Sequence, residues 1–316
     1  MQTILGATGQ IGRELAKELN TAFTQQIRLV SRHPQRINDT DTLMSADLLN
    51  ADDTNKAVAG SNIVYLTAGL PMDTERWMRE WPIIMNNVIQ ACTAHQAKLV
   101  YFDNTYMYPQ TSTPQTEDTP FQPHGQKGEI RGAITQTLLH AMENGKIDGL
   151  ICRAPEFYGP GHTQSITNTL VTDALAAGKK PKVFLRNDTK RTLIYTPDAS
   201  RAMALLGNTP DAYGQTWHLP CDDNRLTYKE FIQLAAKHYK AQRFDVTAEH
   251  TVLNAWVLKL AGLFNPLLRD ASELLPRYKQ DNIFVSDKFK QRFPEFQVTT
   301  HEEGLKVMAR ENKSKS

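Results

Sequence analysis

The sequence predicts an α/β fold: a Rossmann-like doubly wound parallel sheet with a smaller mixed C-terminal substrate domain. Two observations predict it. Strand and helix patterns alternate through the first half of the 316 residues, as parallel strands joined by crossover helices require. The chain also opens on Thr3-Ile4-Leu5-Gly6-Ala7-Thr8-Gly9-Gln10-Ile11-Gly12. There a short apolar strand runs into three glycines spaced three apart, and a helical pattern follows at once. The backbone must turn sharply at Gly6, a diphosphate must approach it closely, and Gly12 lets the helix pack on the strand. The amides and dipole of that helix N-terminus favour phosphate, so the pattern reads as a dinucleotide-binding turn.

The elements follow in order. Gln2–Leu5 is the first strand and Ile11–Leu19 its helix; Gln26–Ser31 is the second strand. Asn62–Thr67 reads as a buried strand, followed by a helix around Trp81–His95, a strand at Lys98–Asp103 and another at Leu150–Arg153. Beyond Tyr158-Gly159-Pro160-Gly161 the alternation loosens, while Thr227–Tyr239 and Val252–Leu263 carry apolar residues at helical spacing. The expected boundaries are a dinucleotide-binding domain over 1–160, with 183–207 returning to it, and a substrate-binding domain from 161–182 and 208–312. Ligands of such sheets sit outside the carboxyl ends of the strands.

Composition narrows the function classes. A formal charge of +2 gives no case for nucleic acid or a membrane as partner. Cys92, Cys152 and Cys221 lie far apart and form no metal-ligand spacing, so free thiols are expected, and no metal site. The apolar stretch Val252–Leu268 is broken by Asn254, Lys259, Gly262, Asn265 and Pro266, which argues against a span. The first strand begins almost at Met1, leaving no room for a leader peptide, so a cytoplasmic location is expected. Trp77 and Trp81 share a helix face, Asp222-Asp223 reads as a turn and Lys179-Lys180 as a solvated charge pair.

The end of the second strand selects the cofactor. An acidic side chain there binds ribose hydroxyls, and a basic one accommodates a 2′-phosphate. The run Leu29-Val30-Ser31-Arg32-His33 has no carboxylate; Arg32 offers a fork to phosphate and Ser31 a hydroxyl. NADP(H) is therefore favoured over NAD(H). The expected cofactor-binding residues are Gly6, Thr8, Gly9, Gln10, Ile11 and Gly12, then Ser31 and Arg32, then Asp47 and Leu48, then Thr67, Ala68 and Gly69. Asp47 stands where a carboxylate meets the adenine amino group or closes a turn.

Four collinear segments resemble the extended and atypical short-chain dehydrogenase/reductase superfamily, in its NAD-dependent epimerase/dehydratase branch. Gly6–Gly12 is similar to the family glycine motif. Val100–Pro109 resembles the strand that carries the family's serine or threonine and ends in Val-Tyr-Gly. Arg153–Gly161 resembles the Arg-Pro…Tyr-Gly-Pro segment, and Arg191–Ala202 the Ile-Tyr-Val-Asp-Asp-Val-Ala segment. The resemblance implies hydride chemistry at a nicotinamide dinucleotide, a small carbonyl, hydroxyl or sugar-like substrate, and a homodimer as one assembly common among such proteins. The family's Tyr-x-x-x-Lys is absent. At its place stands Pro123-His124-Gly125-Gln126-Lys127-Gly128-Glu129-Ile130-Arg131. Aligning Lys127 with the family lysine puts Pro123 at the tyrosine position and gives Lys127 the nicotinamide ribose. The family serine aligns with Asn104, with Thr105 next to it; either orients a carbonyl. Tyr106, Tyr108, His124 and His162 are the candidate proton donors, Tyr108 resembling a position that usually packs. The expected function is an NADP(H)-dependent oxidoreductase or epimerase. The alternative is a dinucleotide-binding redox sensor or regulator that has lost catalysis.

Overall fold

The computed structural model describes residues 1–161, 165–242, 246–264, 269–270 and 272–314, so His162 lies outside the described residues. β1 (Gln2–Leu5) has all four side chains buried, as a central strand covered on both faces must. α1 (Gln10–Ala22) buries Ile11, Leu15, Ala16 and Leu19, one apolar stripe laid on the sheet. β2 (Ile27–Ser31) and β3 (Thr42–Ser45) follow, and then α2 (Ala51–Val58), whose N-cap Asn50 accepts from the amides of Asp52 and Asp53. β4 (Ile63–Leu66) leads to α3 (Thr74–Ala94), capped by Asp73 and carrying Pro82 inside it. β5 (Lys98–Asp103), α4 (Gln126–Glu143) and β6 (Gly149–Arg153) complete the alternation.

The seven-stranded sheet runs Thr216–His218, β6, β5, β4, β1, β2, β3, all parallel. The fold class is the Rossmann-like one read from the sequence. From β1 the chain steps outward to β2 and β3, then returns to β4 on the other side of β1. The strand order therefore switches between β1 and β4, which opens a crevice at their carboxyl ends.

The chain divides into two compact units. The first holds Met1–Met107, Phe121–Ala154 and Ala199–Leu219, the second Tyr108–Pro120, Pro155–Asp198 and Pro220–Ser316. The segment joining the first unit is thus 199–219, where the sequence reading has 183–207, because the edge strand Thr216–His218 belongs to the large sheet. Cys92, Cys152 and Cys221 are free and buried. Burial pushes the Cys92 thiol up to about 12, and those of Cys152 and Cys221 well above their usual range. Among the described residues no helix is long and apolar enough to cross a membrane.

The second unit packs Tyr158, Phe231, Ile232, Tyr239 and Leu305 in one apolar cluster. Within it Glu156 Oε1 accepts from Tyr228 Oη at 2.5 Å and Thr167 Oγ1 at 2.8 Å, and Arg191 Nη2 lies 3.1 Å from Oε2. Burial opposes the Glu156 charge, yet the Arg191 guanidinium and these donors outweigh it and hold the carboxyl below its usual value. The helix His301–Ser314 starts at a capping box, Thr300 with Glu303. Asp222, read as a turn residue, accepts from the Asn224 amide at 2.9 Å and also holds His301 Nδ1 at 2.9 Å.

Burial works against the Asp222 charge, but His301 and the amides of Asn224 and His301 pull its carboxyl down to about 2 from 3.8. A carboxyl depressed in the fold adds stability above its unfolded value and loses it as pH falls through the folded one. Asp222→Asn is expected to cost about 1 kcal/mol at pH 7 after screening by solvent. In denaturant titrations that difference should fade between about pH 4 and pH 2; a difference that persists unchanged at pH 2 would show that charge is not what Asp222 contributes.

Candidate functional site

The glycine turn lies at the switch point of the first unit. Gly6 has φ +94°, and a Cβ there would sit 2.5 Å from the Ala68 backbone. Only glycine lets the two strand ends approach so closely. A Cβ on Gly12 would meet Gly6 O at 2.8 Å, so that glycine is required for α1 to lie against the turn. Gly9 differs: a Cβ there would meet only Gly6 O, at 3.4 Å. Gly9 is exposed beside Thr8, and the space its missing side chain leaves faces outward.

This turn fits a dinucleotide on three counts. The N-terminus of α1 has no side-chain cap and no acidic residue in its first turn, leaving the helix dipole for an anion. Thr67, whose Oγ1 donates to Leu5 O at 3.1 Å, and Ala68 wall the crevice from β4; Gly69 beyond them is exposed. At the end of β2 the Ser31 Oγ is buried without a hydrogen-bond partner, and Arg32 beside it is exposed. A buried hydroxyl in that condition is completed by a ligand or water. Asp47 does turn duty, its Oδ1 accepting from the Leu49 amide at 3.0 Å. The Leu48 carbonyl accepts from Asn87 Nδ2 at 2.9 Å, tying α3 to the loop after β3.

The second part of the site is the end of β5. Asp103 is fully buried and gathers five groups. Arg131 Nη2 lies 3.2 Å from its Oδ1. Arg153 Nε and Nη2 each donate to Oδ2 at 3.1 Å, and Thr135 Oγ1 donates to the same oxygen at 3.0 Å. The Asn104 amide donates to Oδ1 at 2.8 Å, with Tyr101 Oη farther away at 3.4 Å. The Asn104 side-chain oxygen accepts from the Tyr106 amide at 2.9 Å, an Asx turn. What Asn104 has left to offer a ligand is therefore its NH₂, a donor suited to a carbonyl oxygen.

Thr105 is buried behind this turn, while Tyr106 is half-buried and stacks on Trp77 at 6.2 Å. Tyr108 is buried in the second unit. Gly125 caps α4, so Pro123 and the exposed His124 precede the helix and Lys127 stands in its first turn. A helix-borne pair one turn apart cannot include Pro123; the pair that α4 carries is Lys127 and Arg131. Lys127 is fully buried and its Nζ donates to Thr74 Oγ1. A Cβ on Gly128 would sit 2.7 Å from Tyr106 O, which puts this first turn of α4 directly against the Asn104–Tyr106 turn. The guanidinium of Arg131 lies 4.7 Å over the Trp81 ring. Sequence reading singled out neither Asp103, Arg131 nor Thr74 for a role.

A sequence model of the NAD dependent epimerase/dehydratase family matches residues 3–219, which takes in the glycine turn, β5, α4 and β6. The chain belongs to that family. Its sequence is also 24% identical over 197 residues to a dTDP-6-deoxy-L-talose 4-dehydrogenase (NAD(P)(+)) of Kitasatospora kifunensis. The match covers 58% of this chain and 62% of that relative, so it spans about three fifths of the relative's length. Among solved structures, UDP-glucuronic acid 4-epimerase of Bacillus cereus, in complex with NAD, superposes with a TM-score of 0.79 at 15% identity over 99% of both chains. UDP-glucose 4-epimerase of Thermus thermophilus, also with NAD, gives 0.77 at 13% identity over 100% of both. At such identities the family fold is what is shared.

Two alanine variants separate fold from ligand in this family member. Gly6→Ala must clash with Ala68 and adopt a strained φ, and is expected to cost about 3 kcal/mol or more. Gly9→Ala should melt within about 1 °C of the parent yet bind dinucleotide at least about tenfold more weakly, because its methyl enters the approach to α1. Thermal melts and cofactor fluorescence titration check both; unchanged affinity in Gly9→Ala would remove the diphosphate from this turn.

Proposed function

We propose that the chain is an oxidoreductase or epimerase that works with NADP(H) in preference to NAD(H) on a carbonyl or hydroxyl carbon of a sugar-like, nucleotide-linked substrate. The carrying observation is the pairing of an uncapped glycine turn at the switch point with a rigidly held Asn104 at the end of β5. The relative from Kitasatospora kifunensis, named as a sugar 4-dehydrogenase using NAD(P)(+), supports both the substrate class and the acceptance of the phosphorylated cofactor. The absence of a carboxylate at the end of β2, with Arg32 exposed and the Ser31 hydroxyl unpartnered, favours a 2′-phosphate.

In this reading Gly6, Thr8, Gly9, Gln10, Ile11 and Gly12 hold the diphosphate, and Thr67, Ala68 and Gly69 line the crevice. Ser31 and Arg32 take the 2′-phosphate. When bound, the nicotinamide supplies the hydride chemistry. Asn104 donates from its NH₂ to the substrate oxygen and stabilises the charge that gathers there as the carbonyl is reduced. Lys127 holds the ribose and adds positive charge beside it. The proton that accompanies the hydride comes from Tyr106, whose backbone Lys127's helix touches and whose ring Trp77 holds; His124 is exposed ahead of α4 and is the lesser candidate. Thr105, being buried, supports the turn.

Tyr106→Phe is expected to lower kcat by about 10² to 10⁴ with KM little changed, whereas His124→Ala should stay within about twofold of the parent. Steady-state kinetics on 4-keto and 4-hydroxy nucleotide sugars with NADPH check this, and an active Tyr106→Phe would discard Tyr106 as the donor. Arg32→Ala should weaken NADPH at least about tenfold and NADH by less than about twofold. A protein that binds NADPH and oxidises it with no carbonyl compound tested would favour the sensor reading instead.

A further inference from the structure

One helix of the second unit inverts the usual rule for surface helices. Ala255–Phe264 presents Trp256, Leu260, Leu263 and Phe264 to solvent, with exposures of 65%, 51%, 71% and 89%. These residues are spaced i, i+4, i+7 and i+8, so they share an arc of about 100° on the helix. Leu258 and Gly262, on the opposite side, are buried. The helix is therefore apolar inside and out. Single exposed apolar residues need no explanation, whereas four large ones gathered on one arc mark a face that something covers.

The charges around it indicate what covers it. From Thr251 to Phe264 the sequence holds no acidic residue, and its single charge, the exposed Lys259, flanks the apolar arc. Just before the helix, Thr251–Leu253 pairs in parallel with Lys182–Phe184, and the exposed Lys179, Lys180 and Lys182 lie at the start of that ribbon. Glu249 is the carboxylate that pairs with this group, its oxygen 3.4 Å from Lys180 Nζ, while Asp270 beyond the helix pairs with Arg269. A balanced chain thus carries a local excess of cations beside exposed Trp, Leu and Phe, the combination that seats a helix in the headgroup region of an anionic bilayer. A second copy of the chain is a poorer occupant. Ten residues of helix are about 15 Å long, and one face of them falls well short of the roughly 800 Å² per partner that a stable interface buries.

We propose that the helix Ala255–Phe264, with Lys179, Lys180, Lys182 and Lys259 around it, docks this protein peripherally on an anionic lipid surface. The inference does not rest on the proposed catalytic reading. Trp256 also supplies its readout, because Trp77, Trp81 and Trp217 are buried and the chain has 4 tryptophans. Vesicle flotation and tryptophan emission of the full chain test it, using phosphatidylcholine vesicles with and without about 30 mol% phosphatidylglycerol. The expected result is flotation and a blue-shifted emission with the anionic vesicles only, suppressed by high salt. Leu260→Glu with Leu263→Glu should reduce binding about tenfold or more, and so should charge reversal at Lys179, Lys180 and Lys182. Both variants change exposed side chains, and dinucleotide binding measured alongside should stay at the parent level. Absence of flotation with anionic vesicles overturns the proposal. So does binding that the double glutamate variant leaves intact, or a concentration-dependent dimer that this variant dissociates.

Discussion

The first unit depends on one buried carboxylate. Asp103 ends the strand beside β4 and β6, and it holds Arg131 of α4, Arg153 of β6 and Thr135 one helical turn beyond Arg131. A carboxylate taken out of water is costly unless charge and hydrogen bonds compensate it. Here two guanidiniums, a hydroxyl and a backbone amide do so. Removing one member would leave uncompensated charge in the interior, a loss of about 3 to 5 kcal/mol in comparable cases. The same contacts give direction as well as stability. They fix the strand end, the Asx turn after it and the first half of α4 relative to each other, so Asn104 and Lys127 inherit their places from Asp103.

The second unit has a counterpart in Glu156, which collects Arg191, Thr167, Tyr228 and Tyr278. Arg191 in turn lies 4.3 Å over the Tyr278 ring and donates to Arg277 O. Each unit thus encloses one acidic centre with arginine and hydroxyl donors. Tyr228 and Tyr158 have their phenols driven well above the usual range by burial, which suits them to structure rather than to proton transfer at neutral pH.

The sheet was legible because its central strands are short, apolar and bounded by glycine or turn residues. Gln2–Leu5 and Lys98–Asp103 were read to the residue for that reason. The edge strands were not. Thr42–Ser45 is mostly exposed and shows no apolar alternation, and Thr216–His218 is three residues long, too brief for a period. α3 was read from around Trp81, yet Asp73 caps it a full two turns earlier, and the Pro82 inside it is of the residue type that favours a helix's first turn. Val252–Leu263 was read as one helix; Thr251–Leu253 is a strand, and a run of apolar residues does not announce where its period changes. In the site, the glycine turn was readable because Gly6 and Gly12 each have a steric reason in the fold and the three are evenly spaced between a strand and a helix. Asp103, Arg131 and Thr74 were invisible as partners because their contacts join residues between about 30 and 50 positions apart, which no local pattern encodes.

The three thiols, sealed in the interior with their ionisation suppressed, make the native chain a silent background for sulfur chemistry. The thiolate is the reactive form, and folding withholds it at Cys92, Cys152 and Cys221 alike. A cysteine introduced on the surface can therefore carry a maleimide dye or spin label with the native three left in place. Labelled pairs, one in each unit, would then report distances in solution from the unaltered core. Reaction of the native thiols would serve as a clock for unfolding, since they become available only when the packing around them opens.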